Sequence, residues 1–570
     1  MNAVTGPVLG LCSDTHDSAA ALLLDGTLAG FVEEERLAGV KHTGAYPARG
    51  VDWLLHEHNL SPNDIDSVAY NFQFRSYLAA LKQLPRHLCH TETLARALPR
   101  AGSFVRVAAR TRSRVRRIAG RFPNAAVQPV LHHRAHGLYA FASSDYDDAA
   151  VLIVDSLGES QSTTIGHAVR EPARYRILDS IADPASLGLV YGAVTDHLGW
   201  RRGDEEGTVM ALAALGDPGR FAQLFERAVP LTDEGFAVDP AIFPLRVLSS
   251  RYTRLSEAFM RATCPPRDKD AAVEQVHRDL AAALQQRTEQ VMIHLAVRAR
   301  ALSGSRLLCV GGGVAANCVA VAKIAETGLF DEVHVPPAPG DSGTAIGAAL
   351  DVFLAETGAF PADVMNRCYL GPFYPDLPLP PRPGEGTTAI RPDQPARFLA
   401  RQLAEGRIVG LFQGRVEAGP RALGNRSILA SPLRPDVVDR LNSAVKFREP
   451  FRPFAPVVLA SSAAEYFTLG QPAPFMSFAS GVTALARTAI GAVVHANDTA
   501  RVQTVTADQN PFLAAVLSEF ARLTGVPVLI NTSLNVKGKP ICGTPDMALD
   551  CLIESGLDAL MMEGWWVTKC

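Results

Sequence analysis

Paired cysteines are missing from this chain. It has nine cysteines in 570 residues, and no two stand in a C-x-x-C spacing. That excludes a zinc ribbon and gives no sign of a disulfide framework. Long apolar runs are missing as well, since no window approaches the ~20 uninterrupted apolar residues of a membrane span. The first residues show no basic-then-apolar signal pattern, so a cytoplasmic location and no membrane partner are expected. Neither sign of charge is in surplus: the formal net charge is −3, which argues against nucleic acid as a partner. Lysine is scarce and confined to Lys41, Lys82, Lys269, Lys323, Lys446, Lys537, Lys539 and Lys569. Arginine replaces it, as GC-rich coding would produce. Against that background, Lys446, Lys537 and Lys539 fall inside glycine- or proline-punctuated motifs, which favours specific roles. The Rossmann and Walker phosphate fingerprints are both absent.

What is present is enough chain for two or more domains and the patterning of an α/β protein. VLGLCS (8–13) and AAALLL (19–24) read as strands, Asp25-Gly26 as a hairpin turn, and LAGFVEEE (28–35) as the next strand. A similar unit returns at AAVLIVDS (149–156), loop LGESQ and STTIGHAV (162–169), which suggests an internal duplication. The arginine-rich 90–121 stretch reads as an exposed amphipathic helix. Residues 271–303 carry helical periodicity. Strand, glycine loop and helix then follow twice, at RLLCV–Gly311-Gly312-Gly313–VAANCVAVAKIAE and at EVHVPPAPGDSG–TAIGAALDVFLAE. Residues 371–392 are rich in Pro and Gly and read as a linker. The expected domains are therefore 1–370 and 393–570.

The densest chemistry lies at 414–456, where Arg415, Arg421, Arg426, Lys446, Arg448 and Arg452 stand among glycines and prolines. Fixed cations beside tight turns suit a multiply anionic ligand; a solvated basic surface is the competing reading. Downstream, Arg501 in HANDTARVQ and Ser533-Leu534-Asn535 after an apolar strand add groups able to fix phosphate or a small carbonyl. Upstream, His132 and His136 fall one helical turn apart, a spacing used to grip one metal ion. Asp155 ends an apolar strand and Asp341 precedes a helix, where each could complete the site or, for Asp341, merely cap the helix. Two histidines with carboxylates suit iron or a similar divalent metal. Gly312 and Gly313, leading into a helix at Asn317, could let a nucleotide approach. His16 beside Asp17 is a candidate general base, with His42 a second of that kind. Asp204-Glu205-Glu206 forms an acidic loop that could face a cationic acceptor or cap its helix.

Together these motifs resemble the NodU/CmcH-type O-carbamoyltransferases. HHRAH, VDSLGES, GGGVAANC, PGDSGTAIGAA, GPRALGNRSIL, KFREPFRPFAP, HANDTARVQTV and NTSLNVKGKPI occur in the order found in that family. Within it, the chain looks most similar to the antibiotic enzymes, those acting on aminoglycosides. The resemblance implies an N-terminal TsaD-like domain of the actin/sugar-kinase superfamily, built of duplicated βββαβα-type units, and a C-terminal YrdC-like α/β domain. It implies that carbamoyl phosphate and ATP, with Mg, become carbamoyl adenylate at Lys446, Arg448, Arg421, Arg501, Ser533 and Asn535. The N-terminal domain would then bind that intermediate near Gly312, Gly313, Asn317 and Glu206, beside an iron site at His132, His136, Asp155 and Asp341. There a substrate hydroxyl, deprotonated by a residue such as His16, would take the carbamoyl group. The family commonly has Glu-Gly-Lys where this chain has Glu206-Gly207-Thr208, so one cationic contact is not expected here. The competing functions are a fused tRNA threonylcarbamoylation enzyme, a hydrogenase-maturation enzyme, which would carry C-x-x-C pairs, and a non-catalytic nucleotide-binding module.

Overall fold

The computed structural model describes residues 6–248, 251–375, 377 and 386–570. The chain forms two compact units. The first holds the chain up to Phe31 and Gly44–Arg367; the second holds Val32–Thr43 with Cys368–Cys570. The contiguous 1–370 boundary expected from sequence therefore needs one amendment, because a short N-terminal segment packs into the second unit. Its backbone passes so close to Gly543 that a Cβ there would lie 1.9 Å from the Arg36 carbonyl oxygen.

The first unit contains two five-stranded sheets of the same plan. In the first, β1 (Val8–Cys12), β2 (Ala19–Leu24), β3 (Thr27–Glu33), β4 (Ser67–Tyr70) and β5 (Ala126–Pro129) lie in the order β3-β2-β1-β4-β5. In the second, β6 (Asp148–Gly158), β7 (Gln161–Val169) and β8 (Arg174–Ala182) join β11 (Leu307–Gly311) and β12 (Glu332–His334) in the order β12-β11-β6-β7-β8. A small hairpin, β9 (Leu231–Thr232) and β10 (Gly235–Phe236), lies between β8 and β11 in sequence. In each sheet the first strand pairs antiparallel with the second and parallel with the fourth, and the fourth pairs parallel with the fifth. The duplication legible in the sequence is thus a duplication of topology. β6 runs through Gly158, so most of the expected LGESQ loop is strand, with a register shift between Val154 and Gly158.

Each sheet delivers a helix to the other. The helix His132–Ala142, after β5, packs on β6 and β11, whereas Thr344–Thr357, after β12, packs on β1, β2 and β4. The two helices also pack on each other. Their crossing leaves no room for a side chain at Gly347, where a Cβ would lie 1.8 Å from the Ala135 carbonyl oxygen. Backbone cannot yield as a flexible side chain can, so Gly347→Ala is expected to destabilise the protein by about 3 kcal/mol. Gly120→Ala, which meets nothing within 4 Å, is the control in the same urea titration. The arginine-rich stretch is a helix, Thr91–Arg121. It buries Phe104, Ala108 and Ile118 in the core around β1 and turns most of its arginines outward.

The second unit is built on one nine-stranded mixed sheet. β13 (Thr387–Ile390), β14 (Val409–Phe412), β15 (Arg426–Ala430), β16 (Ala455–Leu459), β17 (Phe478–Gly481), β18 (Thr499–Val505), β19 (Val528–Ser533), β20 (Ala559–Met562) and β21 (Trp565–Lys569) lie in the order β13-β21-β20-β14-β15-β19-β16-β18-β17. The helices Pro395–Ala404 and Pro511–Thr524 pack their leucines against it. Of the expected 371–392 linker, residues 376 and 378–385 lie outside the described residues. Its ends are ordered: Gly371 donates its N–H to Val416 O at 3.0 Å, and Thr387–Ile390 is β13. Among the described residues no helix is long and apolar enough to cross a membrane.

Candidate active site

The helix exchange in the first unit brings together four side chains from three separate segments. His132 and His136 lie on the helix after β5, Asp155 on β6, and Asp341 in the 3₁₀ turn Asp341–Gly343 before the second exchanged helix. One ligand atom from each lies within 4.8 Å of all the others. The two histidine Nε2 atoms are 3.1 Å apart. His132 Nε2 is 3.4 Å from both Asp155 Oδ2 and Asp341 Oδ1, and His136 Nε2 is 3.7 Å from Asp341 Oδ1. The helix Thr344–Thr357 has Gly343 at its N-cap and no side-chain cap hydrogen bond, so Asp341 is not its cap.

The electrostatics of this cluster call for positive charge at its centre. Burial should raise the pKa of both carboxyls, but the charges and hydrogen bonds of the histidines outweigh it and hold Asp155 and Asp341 below the usual carboxylate range. Burial should likewise lower His132, but Asp341 and Asp155 outweigh it and hold the imidazole protonated. The same pair of buried carboxylates would favour a divalent cation between them. Two imidazole nitrogens and two carboxylates at this spacing suit such an ion, so the residues present fit the metal implied by the resemblance. His133, one residue along, is buried with neither ring nitrogen hydrogen-bonded, and burial pushes it down to about 3.

Two neighbours hold the cluster in place, and sequence reasoning passed over both. Phe72 stacks on the His132 ring at 4.6 Å with planes 2° apart. Glu159, buried with φ +43°, accepts the backbone N–H of His132 at 3.3 Å and of Gln73 at 2.9 Å. The only signal was its place in the loop after the first candidate carboxylate.

Asp155 also joins the cluster to the glycine loop: its Oδ1 accepts the Gly313 N–H at 3.1 Å. Gly312 adopts φ +86°, and a Cβ there would lie 2.3 Å from Val154 O. Its N–H is bonded to Pro339 O. These two N–H groups are therefore spent within the protein. The expected anion cradle is corrected to a close-approach surface without free donors at Gly312 and Gly313. Asn317 caps the helix Cys318–Glu326 by accepting the Ala320 N–H, and its amide exchanges two hydrogen bonds with Gln285. Glu206 accepts the Gly203 N–H at 2.6 Å, and Glu205 accepts the Arg201 N–H at 2.8 Å, so the acidic loop is tied to itself.

That loop adjoins His16: a Cβ on Gly203 would lie 3.9 Å from His16 Cδ2. His16 Nδ1 is 2.8 Å from Asp17 Oδ2. This hydrogen bond is the main reason the His16 pKa is raised, to about 10, with Asp341 and Asp155 adding to it.

In the second unit the cations separate into two kinds. Arg426 is fully buried, donates to Gln413 O at 2.5 Å, Asn425 O at 3.1 Å and Gly414 O at 3.1 Å, and lies over the Phe412 ring at 3.6 Å. It supports the loop and offers no free fork to a ligand. Glu417, also buried, accepts the N–H groups of Leu423 at 2.8 Å and Arg426 at 3.0 Å. It was hidden in a motif read for its positive charge. Arg421 lies half-buried in the same loop.

Lys446 is the other kind. It ends a π-helical turn, Leu441–Lys446, before Phe447 at φ +48°. Its buried Nζ donates to the Ser533 carbonyl, to Ser533 Oγ at 3.2 Å and to Asn535 Oδ1 at 2.7 Å. Ser533 Oγ donates to Asn535 Oδ1 at 2.7 Å. Burial, then the charge of Arg448, pushes Lys446 down to about 7. Arg448 lies over the Phe454 ring at 4.2 Å and bonds Asn442 Oδ1. Burial and the charges of Arg452 and Arg501 bring it to about 9. The structure thus gathers Lys446, Ser533 and Asn535, and sets Arg448, Arg452 and Arg501 within electrostatic reach of one another.

An anion bound here would restore the proton to Lys446. At pH 8.5, between the pKa of about 7 and the ordinary 10.5, binding of inorganic phosphate is expected to take up about one proton. Affinity should then fall as pH rises above 7. Calorimetry in buffers of different ionisation enthalpy reads the uptake, and Lys446→Met should abolish it.

Residues 7–350 match the family model described as carbamoyltransferase N-terminus, and residues 400–569 match carbamoyltransferase C-terminus. Nodulation protein NolNO of Sinorhizobium fredii is 33% identical over 569 residues, covering 97% of this chain and 79% of that protein. Nodulation protein U of Bradyrhizobium diazoefficiens is 31% identical over 570 residues, covering 94% and 93%. The Synechocystis protein sll1178 is 32% identical over 618 residues, covering 99% and 96%. Among solved structures, HypF of T. kodakarensis aligns at 14% identity over 64% of this chain and 50% of that chain, with a TM-score of 0.33, too loose to carry an argument.

Proposed function

The chain belongs to the carbamoyltransferase family, and we propose that it is an ATP-dependent O-carbamoyltransferase that divides its reaction between the two units. The second unit, read as YrdC-like, converts carbamoyl phosphate, ATP and one water to carbamoyl adenylate, phosphate and pyrophosphate. The first, read as TsaD-like, joins the carbamoyl group to a hydroxyl of the acceptor and releases AMP and a proton. The duplicated sheets of the first unit support its assignment to the actin/sugar-kinase class. The observation that carries the proposal is the gathering of His132, His136, Asp155 and Asp341, with one ligand atom from each within 4.8 Å of all the others.

In the second unit, Lys446 is pre-aimed by Ser533 and Asn535, and Arg448 carries the repulsion of Arg452 and Arg501. Binding a phosphate relieves that repulsion, so these groups favour the form in which negative charge is concentrated. Adenylation then gives the unreactive carbamate a good leaving group. In the first unit His132, His136, Asp155 and Asp341 would hold the divalent cation, with iron(II) the expected metal and Mg accompanying ATP. Such a cation would supply Lewis-acid polarisation of a carbonyl. His16, whose Nδ1 lies 2.8 Å from Asp17 Oδ2, is the residue read as taking the hydroxyl proton. The acidic 204–206 loop, beside His16, favours a cationic acceptor such as an aminoglycoside.

Mass spectrometry of incubations with carbamoyl phosphate, ATP and a panel of hydroxylated antibiotics tests this reading. An acceptor heavier by one carbamoyl group, formed only when ATP is present, is expected. Carbamoylation that proceeds without ATP would overturn it.

A further inference from the structure

The second unit contains a segment remote from it in sequence. Glu33 and Arg36, both buried, close on the two sides of one residue, Gly419. Glu33 Oε1 accepts the Gly419 N–H at 2.7 Å, and Arg36 Nη2 donates to the Gly419 carbonyl at 2.5 Å. Arg36 Nε lies 3.7 Å from Glu33 Oε2, and Arg36 Nη1 donates to Glu35 Oε1 at 2.9 Å. Glu35 in turn accepts the His42 N–H at 2.9 Å, which closes the segment on itself. Its fit is tight on the other face too, where Gly543 must lack a side chain for Arg36 to pass.

Gly419 has φ +89° and begins the turn Gly419-Pro420-Arg421. Nothing in a glycine holds its own backbone in the left-handed region. The turn is instead fixed from outside, by a carboxylate at its N–H and a guanidinium at its carbonyl. The guanidinium's bond is charge-assisted, burial pushes Glu33 up to about 7, and both bonds are shielded from water, where hydrogen bonds are strong. Glu417, two residues earlier, fixes the other arm of the loop through Leu423 and Arg426.

We infer that Glu33 and Arg36 are positioning residues for Arg421, holding the Gly419–Arg421 turn in the geometry that receives the phosphate of carbamoyl phosphate. This rests on the proposed role of the second unit and adds a part that the C-terminal sequence does not contain. Neither residue touches the substrate in this account; they act through the backbone of Gly419.

The test uses the full chain and two readouts. Glu33→Ala and Arg36→Ala are expected to raise KM for carbamoyl phosphate in pyrophosphate release by about tenfold or more. The rate of transfer from supplied carbamoyl adenylate should stay unchanged. Glu33→Gln keeps an oxygen for the Gly419 N–H and should recover most of the loss. If the alanine variants do not fold, Arg36→Lys, which keeps the charge and loses the fork, carries the same KM test. Amide hydrogen exchange across 417–423 should quicken in Glu33→Ala and return in Glu33→Gln, whether or not the adenylation reading holds. An unshifted KM, or equal loss of both activities with no rescue by glutamine, overturns the clamp. Absence of pyrophosphate release from the unmutated chain defeats the two-step reading instead, and unaltered exchange across 417–423 then also defeats the clamp.

Discussion

Replacing His136 by alanine is expected to lower carbamoyl transfer to the acceptor by about 10³-fold while leaving pyrophosphate release within about twofold. His136 supplies one of the two imidazoles in a cluster built on the exchanged helices of the first unit. Its removal deletes one of the four ligand atoms gathered there, so a divalent cation should be held less tightly. The second unit has its own sheet and core, and its chemistry should proceed. Treatment with a chelator should give the same split, and added divalent cation should restore the treated enzyme but not the alanine variant. Equal loss of both half-reactions would show that the two steps share one site.

Lys446→Ala is expected to produce the opposite split. Pyrophosphate release should fall by about 10²–10³-fold, about 3–4 kcal/mol of transition-state stabilisation. Transfer from supplied carbamoyl adenylate should stay near normal. Lys446 contacts Ser533 and Asn535 at once, so its loss removes a cation and also frees two groups to rotate. Lys446→Arg separates these effects: it restores charge with the wrong shape for a buried three-point contact, and recovery should be slight. Ser533→Ala should fall between the two. Kinetics of pyrophosphate release, measured before any acceptor is added, provides the readout.

Much of this was legible in the sequence, and the reasons differ by residue. His132 and His136 were visible because helical spacing is fixed by covalent geometry. Asp155 and Asp341 were visible because strands in α/β proteins deliver residues to a cleft at their carboxyl ends. The duplicated sheets followed from two similar strand–loop–strand runs. The 32–43 segment was not legible, since nothing local in EERLAGVKH distinguishes a strand end that stays in its unit from one that joins another. Arg426 was misleading because guanidinium groups serve backbone carbonyls and phosphates equally well, and composition cannot tell which. The glycine loop suggested free N–H donors, and only the coordinates show that Asp155 and Pro339 take those of Gly312 and Gly313. The raised pKa of His16 depends first on Asp17 and then on Asp341 and Asp155, a sum of charges that no motif records.

The central claim is that carbamoyl adenylate is made at Lys446 and consumed at the histidine–aspartate cluster. The most direct test is rapid-quench mass spectrometry of the His136→Ala enzyme with carbamoyl phosphate, ATP and acceptor. Carbamoyl adenylate should accumulate there, stay at trace level in the unmutated enzyme, and be absent from the His136→Ala/Lys446→Ala double variant. If His136→Ala makes no adenylate while the unmutated enzyme still carbamoylates its acceptor, or if the double variant makes as much adenylate as His136→Ala, the division of labour argued here is wrong.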